Sequence, residues 1–411
     1  MDVGWIGVLA QIILLLLIII ISVVYIFFHI RYRYWKRRGV HYEKPFLFFG
    51  NLRYVMRKSF WEMFNELRKK NKRDYYGIFL AWQPTLVVQT PEYVRKILVK
   101  DYDHFENRLC YSSLQSDPLG SLNLFTLKAP LWSTMRHELS PMFTSKRLKM
   151  LTDLMNVNAK ELVLKIKREN VDKNEPANLK ELLSMYTSDT VGYTVFGIYV
   201  SALNDPSSPL WYITRHMVKW TFWRGFEFTM IFFIPYLAKE TLYQEIDEAF
   251  KRAGKDVLNY DELMELKYLT ACIHETLRKY PPTPHLDRCC TKDYQLNDNL
   301  LIEAGTPVFV NVIGIHYNEE YYPEPEKWNP ERMMNMSDND NRNYTFIPFG
   351  EGPHFCIGKR YGLMQIRACL SQMVHKFKFA PTPEEPYEIN PDPYSVLLAP
   401  KSGGRVKFIS R

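Results

Sequence analysis

The sequence predicts a mainly helical protein with minor sheet (the α+β class), in one large domain behind an N-terminal membrane anchor. The first observation is a long apolar run at the N-terminus. The second is apolar spacing of three and four residues through most of the remaining chain, with only a few short β-type segments. With 411 residues, 46% hydrophobic and 15% aromatic, the chain can bury a large core, which excludes disordered and fibrous classes.

The N-terminal element is a membrane span. Residues 5–28 are almost wholly apolar, and these 24 residues reach about 36 Å as a helix, against a hydrocarbon core of roughly 30 Å. A cleaved signal peptide is the alternative, but Asp2 replaces the basic start and the run is too long. The basic, aromatic stretch 31–38 indicates that the following chain is cytosolic. We assign residues 1–30 to the anchor and 31–411 to the folded domain.

The elements after the anchor follow in chain order. Residues 85–90 predict a short strand, and Pro91 begins a helix, a position at which proline is favoured. The patterns of residues 131–200 and 242–279 are helical, and the second is broken near residues 254–256. Strand and turn patterns occupy residues 300–312 and 394–409.

A second apolar run lies at residues 222–235. It is too short and too interrupted by polar residues to cross a bilayer. A core helix and an interfacial segment that touches the same membrane as the anchor are both compatible with this pattern.

Charge and cysteine content restrict the partners and the compartment. The net charge of +8 permits an acidic protein partner or an anionic membrane surface. Nucleic acid is not expected as a partner, because the basic residues are dispersed and no nucleic-acid motif accompanies them. Six cysteines in a chain of this length do not form a disulfide framework, so we expect a reducing compartment.

The candidate site is the glycine-rich stretch 346–360, FIPFGEGPHFCIGKR. A phosphate-binding loop does not fit, because five residues rather than four separate Gly352 from Gly358 and no Ser or Thr follows the lysine. A zinc site does not fit either, since Cys356 has no second ligand at the required spacing beyond His354. A buried structural cysteine remains the alternative to a metal-ligating one.

The residues around Cys356 favour its assignment as a metal ligand. Apolar spacing from Gly358 onward predicts a helix, and a cysteine at a helix N-terminus is stabilised as a thiolate. Glycines would let the backbone approach a flat ligand, against which Phe349 can pack. The pattern resembles the haem-binding signature of the cytochromes P450: Phe349-Gly350-x-Gly352-x-His354-x-Cys356-x-Gly358.

Two further motifs resemble structural motifs of the same family. Glu275 and Arg278 match E-x-x-R, and on a helix residues three apart share a face. A solvated, weak ion pair is the alternative for these two residues. Arg332, in Pro-Glu-Arg, resembles the second arginine that joins this pair in the family, although Met333 stands where the family usually has phenylalanine.

The resemblance also implies which residues contact the haem propionates. Trp132 and Arg136, one helical turn apart, match the C-helix motif of the family, and Arg288 and His354 match further propionate partners. These side chains are cations or hydrogen-bond donors, as an anionic carboxylate requires. The cofactor-binding set implied by the resemblance is therefore Trp132, Arg136, Arg288, Phe349, His354 and Cys356.

The resemblance extends from the anchor to the C-terminus and is greatest to insect microsomal P450s of the detoxification type. It implies haem b (iron protoporphyrin IX) ligated by the thiolate of Cys356, whose electron donation favours O–O cleavage. It further implies electrons from NADPH–cytochrome P450 reductase, with cytochrome b5 open as a further donor, and insertion of one oxygen atom from O2 into a lipophilic small molecule. The implied location is the endoplasmic reticulum membrane, single-pass, with the haem domain in the cytosol.

One family element is missing. P450s have a long central helix over the distal haem face, with an acid–alcohol pair that guides protons to oxygen. The nearest fragment, residues 237–241, has Lys239 in place of glycine, and Glu275 follows its end by only 34 positions. We expect an internal deletion near residues 239–240, of on the order of 90 residues against a family length of about 500. No catalytic residue is therefore assigned.

Three functions are compatible with the sequence. The first is a P450 monooxygenase, and the second is a catalytically inactive, membrane-anchored remnant that binds haem or a lipophile. The third is a membrane protein without haem, in which the motifs are inherited and empty. Substrate-contacting segments of the family would fall near residues 108–124, 283–286 and 396–398.

Overall fold

The fold combines a helical core with a four-stranded sheet. The computed structural model describes residues 3–52, 59–109, 122–199, 201–205, 208, 211, 239–382, 398 and 404–411. The expected α+β class is confirmed. The apolar run 222–235 lies outside the described residues.

The described helices have the following bounds, in chain order. They are α1 Val3–Arg31, α2 Tyr34–Arg37, α3 Phe60–Lys70, α4 Pro91–Arg95, α5 Leu131–Leu139, α6 Ser145–Ile166, α7 Leu179–Thr194, α8 Lys239–Ala253, α9 Tyr260–Met264, α10 Lys267–Lys279, α11 Val312–His316 and α12 Lys359–Lys376. Single π-helical turns follow α4 and α6, at Lys96–Lys100 and Lys167–Val171. Short 3-10 turns are Tyr102–His104, Ser140–Phe143 and Pro330–Met333.

The described strands form three sheets. They are β1 Tyr75–Leu80, β2 Gln83–Val88, β3 Ala177–Asn178, β4 His285–Cys289, β5 Tyr294–Asn297, β6 Leu300–Ile302, β7 Pro307–Asn311, β8 Phe377–Pro381 and β9 Arg405–Ser410. The largest sheet has the order β1-β2-β7-β4, and only the β2–β7 pair in it is parallel. The others are β3-β9-β8 and the hairpin β5-β6.

Helix α1 contains a segment, Gln11–Arg31, that is long and apolar enough to cross a membrane, with mean hydropathy 3.1 and 6% of its most apolar window buried. Its exposed leucines and isoleucines have no core to face, which is consistent with an anchor. After α1 the chain is held against the main sheet, because the buried Trp35 donates its indole N–H to the carbonyl of Ile78 at 3.0 Å.

The main core surrounds α12. Helices α6 and α10 contribute buried side chains to the same cluster as α12, and Cys356 packs against that cluster. The helix therefore provides a rigid platform for the glycine-rich stretch that precedes it.

The expected strand at residues 85–90 is present as β2, Gln83–Val88. Of the strand and turn pattern expected at 394–409, residues 394–397 and 399–403 lie outside the described residues, and β9 occupies Arg405–Ser410. The helical pattern breaks at Gly254, as expected, where a φ of +61° favours glycine. The helix at Pro91 ends as α-helix at Arg95 and continues as a π-turn. The predicted strand to residue 312 ends at Asn311, because the Asn311 side chain accepts the backbone N–H of Gly314 and caps α11.

Candidate functional site

The Cys356 loop is a closed turn in front of α12. The backbone N–H of Cys356 donates to the carbonyl of Phe349 at 2.8 Å, and the helix begins three residues later, at Lys359. Burial raises the pKa of Cys356 to about 11, although the Gly358 N–H and the charge of Arg136 lower it. The predicted position at the helix N-terminus is confirmed, but burial outweighs its effect on the sulfur. Loss of the thiol proton would therefore have to be coupled to metal binding.

Two glycines of the loop adopt a backbone conformation that favours glycine. Gly350 and Gly352 have φ of +73° and +72°, in the left-handed region that favours glycine. A Cβ at Gly352 would lie 1.8 Å from the carbonyl oxygen of Leu98, in the π-turn after α4. The close approach at Gly352 is thus to protein backbone, and it fixes the loop against the π-turn Lys96–Lys100. The approach of the loop glycines to a flat ligand stays a prediction.

Two arginines lie near the loop and close to each other. Arg288, on β4, is buried and donates one terminal N–H to the Asp287 carbonyl at 2.7 Å, while its Nε has no partner among the described residues. Arg108 donates to the carbonyl of His354 at 3.3 Å. Burial, and then the charge of Arg108, lower the pKa of Arg288 to about 9. Two neighbouring cations, of which Arg288 is buried and Arg108 is half-buried, favour an anionic group.

The Trp132 and His354 rings are packed together, with centroids 3.7 Å apart. The indole N–H of Trp132 donates to the Leu124 carbonyl at 3.1 Å, and His354 Nε2 lies 2.8 Å from the Glu106 carbonyl. Burial lowers the pKa of His354 to about 3, so the ring is neutral and its Nε2–H is the donor. The contacts of these two residues with a propionate therefore stay predictions, and both would require exchange of a present hydrogen bond.

The two remaining predicted residues lie next to the loop. The Arg136 guanidinium carbon lies 4.7 Å from the ring centroid of Phe355, and Arg136 and Cys356 are close enough to affect each other's pKa. Phe349 is buried in the main core, with its ring centroid 5.6 Å from Lys359 Nζ. All six predicted residues are thus on the elements that meet at this loop.

The predicted arginine–glutamate network is present. Arg278 makes a two-point ion pair with Glu275, at 2.8 and 2.9 Å, and both side chains are fully buried. Arg332 Nε donates to the same carboxylate at 3.2 Å, as predicted, and the Asn329 backbone N–H does so at 3.0 Å. The alternative of a solvated surface pair is therefore wrong. Buried in this way, the network fixes the relative positions of α10 and the Pro330–Met333 turn.

A histidine connects this network to the loop. His316 Nδ1 donates to the carbonyl of Arg278 at 3.0 Å, and Nε2 accepts the backbone N–H of Ile347 at 3.0 Å. Arg278 in turn donates to the carbonyl of His316 at 2.8 Å. Sequence reasoning missed His316 and Arg108, because neither stands in a motif of this chain that reveals its partner.

The family model for cytochrome P450 matches residues 40–241 and 237–408. The chain belongs to the cytochromes P450. Among curated proteins it is 28% identical to cytochrome P450 6k1 of Blattella germanica over 497 aligned positions, covering 94% of each chain. It is 26% identical to probable cytochrome P450 6g2 of Drosophila melanogaster, covering 97% of this chain and 98% of the relative. The expected resemblance to insect P450s is confirmed.

Membership makes this P450 a haem monooxygenase by family, with haem as its cofactor. The described residues fit such a group on three points. Cys356 offers a sulfur next to cations, Arg288 has an unsatisfied buried Nε, and Arg108 adds a second positive charge. The carboxylates of the haem propionates suit such a cationic site rich in hydrogen-bond donors.

Two features of the comparisons concern the middle of the chain. The family match falls into two segments that meet at residues 237–241. The alignment with P450 6k1 extends over 497 positions, although this P450 has 411 residues. The alignment therefore includes positions of P450 6k1 that have no counterpart in this chain.

Proposed function

We propose that this P450 is a microsomal monooxygenase that inserts one oxygen atom from O2 into a lipophilic small molecule, using haem b and electrons from NADPH–cytochrome P450 reductase. The observation that favours it most is the Cys356 loop, which lies beside Arg108 and the buried Arg288 and is held by the Glu275 network through His316. Cytochrome b5 is a candidate for a further electron donor.

The residues of the site have distinct roles in this proposal. Cys356 would ligate the haem iron through its deprotonated sulfur. Arg288 and Arg108 would bind propionate, with Arg136, Trp132 and His354 as the further predicted partners. When bound, the haem supplies O2 activation and oxygen transfer. Glu275 with its two arginines keeps the loop in place and takes no part in the chemistry.

The main argument against this function concerns the distal side of the haem. We infer an internal deletion near residues 239–240, which removes the central helix with its acid–alcohol pair. The two-segment family match and the long alignments support this inference. The second candidate function, an inactive haem- or lipophile-binding remnant, follows from the same observation, and no catalytic residue is assigned in either case.

We also propose that α1 crosses the endoplasmic reticulum membrane once, with the haem domain on the cytosolic side. The apolar segment Gln11–Arg31 and the basic residues that follow it support this topology. The predicted substrate-contacting segments remain predictions, and residues 110–121 and 396–397 of them lie outside the described part.

A carbon monoxide difference spectrum of the reduced full chain tests haem ligation. A thiolate-type Soret band is expected for the natural sequence and for Cys289→Ala, a matched control at another partly buried cysteine. Cys356→Ala should lose that band. Persistence of the band in Cys356→Ala would overturn the ligand assignment, and its absence from the natural sequence would sink both haem-binding functions.

NADPH oxidation with added reductase then separates the two candidates. Oxidation coupled to formation of a hydroxylated product supports the monooxygenase. Haem binding without any product across a panel of lipophilic substrates supports the remnant.

A further inference from the structure

A polar cavity of about 260 Å³ lies between the end of α3, the start of β1, the end of β2 and α11. No residue assigned to the haem contacts lines it. Pockets for lipophilic ligands are mostly apolar, whereas the walls of this cavity carry charged and amide side chains beside two tyrosines. The cavity is therefore suited to a small polar ligand and is separate from the proposed monooxygenase site.

The turn between α3 and β1 forms one wall, and Gln89 holds it in place. The Gln89 amide nitrogen donates to the backbone carbonyls of Asn71 and Arg73, both at 2.8 Å. Its oxygen accepts from Asn311 at 3.1 Å. A Cβ at Gly314 would lie 2.8 Å from that oxygen, so only glycine lets α11 pack this closely. The bonds that hold this wall are internal to the protein, so the cavity is preformed.

Asn71 has an unsatisfied acceptor in this wall. The residue is 2% exposed, and its amide nitrogen donates to the Glu43 carboxylate at 2.8 Å and to the Leu67 carbonyl at 3.3 Å. Both partners are acceptors, which fixes the orientation of the amide. Its Oδ1 has no partner among the described residues. A buried acceptor without a donor lowers stability, so the cavity favours a ligand with an N–H or O–H donor.

Two carboxylates at the rim favour a cationic donor. Asp74 and Glu320 line the cavity, are exposed, and make no ion pair within the described part of the chain. Both lie near the hydroxyl of Tyr321, because burial raises the pKa of Tyr321 and the charges of Glu320 and Asp74 raise it further. An ammonium group would meet two negative charges here.

Three cations favour an anionic group in the same ligand. Arg68 has a side chain that is only 10% exposed, and its guanidinium carbon lies 4.2 Å from the Tyr317 ring centroid. Lys72 and Arg73 are exposed at the rim, and neither side chain makes an ion pair within the described ranges. Phosphates and carboxylates are the usual partners of such groups.

We propose that this cavity binds a small zwitterion that carries a primary ammonium and a phosphate or carboxylate group. The ammonium donates to Asn71 Oδ1 near Asp74 and Glu320, and the anionic group lies towards the three cations. A simple anion is not favoured, because it brings no cation to the two carboxylates. A quaternary ammonium is not favoured either, since it has no N–H for the free acceptor.

Isothermal titration calorimetry of the full chain in phosphatidylcholine nanodiscs, with O-phosphoethanolamine as the probe, tests this site. We expect one saturable site per chain. Phosphocholine carries the same two charged groups without an N–H, and it should bind about ten-fold more weakly, as expected for one lost charge-assisted hydrogen bond.

Two matched variants test the cations. Arg73→Gln should weaken binding of O-phosphoethanolamine by about ten-fold. Lys69→Gln removes an exposed cation of α3 that does not line the cavity, so it should leave the affinity unchanged. Equal weakening by the two variants would indicate general charge attraction and would overturn the site.

The ligand class and the site can each fail. Equal affinity for phosphocholine and O-phosphoethanolamine overturns the ligand class, because Asn71 Oδ1 then receives no bond from the ligand. Absence of saturable binding to a chain that unfolds cooperatively on heating overturns the site and shows that the cavity holds water only.

Nanodiscs that contain phosphatidylethanolamine distinguish the source of the zwitterion. If the lipid headgroup reaches the cavity, the soluble probe should bind more weakly in these nanodiscs. If only soluble molecules reach it, the affinity should stay the same. Either result, with binding of the probe in phosphatidylcholine nanodiscs, supports the proposed chemistry.

Discussion

His316 Nε2 accepts the backbone N–H of Ile347 at 3.0 Å, which ties the chain leading into the cysteine loop to the helix that contains Glu275 and Arg278. The bond is buried, and His316 has no exposed surface. A buried N–H without an acceptor lowers the stability of the fold. The Cys356 loop therefore depends on a residue that is not among the predicted haem contacts.

Replacement of His316 by alanine should lower the free energy of unfolding by about 2–4 kcal/mol, because it leaves the Ile347 N–H and the Arg278 carbonyl unpaired and opens a cavity. Urea unfolding followed by circular dichroism measures this change. His137→Ala, at a side chain that is 89% exposed, is the control and should have little effect. Equal destabilisation by the two variants would contradict the linking role.

Stability should fall as the pH falls below neutrality. Burial, and then the Arg278 charge, lower the pKa of His316 to about 3, and burial also lowers that of His274. The unfolded chain, with an ordinary histidine pKa near 6.5, binds more protons below that pH. Each such group then costs up to about 1.4 kcal/mol per pH unit between about 6.5 and its folded pKa.

The urea midpoint measured from pH 7.5 to 5 checks this pH dependence. It should decrease steadily below pH 6.5, and the decrease should be smaller in His316→Gln, which has no titratable group. A midpoint that stays constant over this range would rule out the proposed linkage.

Replacement of Glu275 by glutamine should cost about 3–5 kcal/mol, because it leaves Arg278 and Arg332 with no carboxylate between them in a buried site. Haem content per chain should drop with stability. Glu319→Gln, at an exposed carboxylate, should change stability by no more than about 0.5 kcal/mol. A Glu275→Gln chain as stable as this control would show that the network is dispensable.

Single replacements of Gly350 and Gly352 by alanine distinguish the stability lost to backbone strain from the stability lost to steric conflict. Both glycines have φ near +70°, so each substitution incurs about 1–2 kcal/mol of left-handed strain. Only Gly352→Ala also forces a Cβ against the Leu98 carbonyl, since the nearest atom at Gly350 is a flexible Leu286 methyl at 3.8 Å. Gly352→Ala should therefore be clearly the less stable of the two by thermal unfolding, and equal stabilities would contradict the close approach of the loop to Leu98.

The fold class, the helix after Cys356 and the Glu275–Arg278 pair were predictable, because each depends on short-range periodicity or on a motif with fixed spacing. Arg332, 57 residues from Glu275, was predicted only through the resemblance to a family motif. Arg108 and His316 were not predictable. Their partners are more than 30 residues away along the chain, and a single sequence contains no sign of such contacts. The rise in the pKa of Cys356 was not predictable either, since position at a helix N-terminus is local but burial depends on the whole core.

The contacts of Trp35 and Tyr32 have a practical consequence for preparing a soluble form of this P450. Trp35 contacts Gly77 so closely that a Cβ there would lie 2.4 Å from the indole, and Tyr32 closes the loop that ends at Gly50. Both residues belong to the folded domain, although they directly follow the apolar segment. A shortened chain should therefore start before Tyr32, because removing the whole basic stretch 31–38 together with the apolar segment would also remove part of the fold.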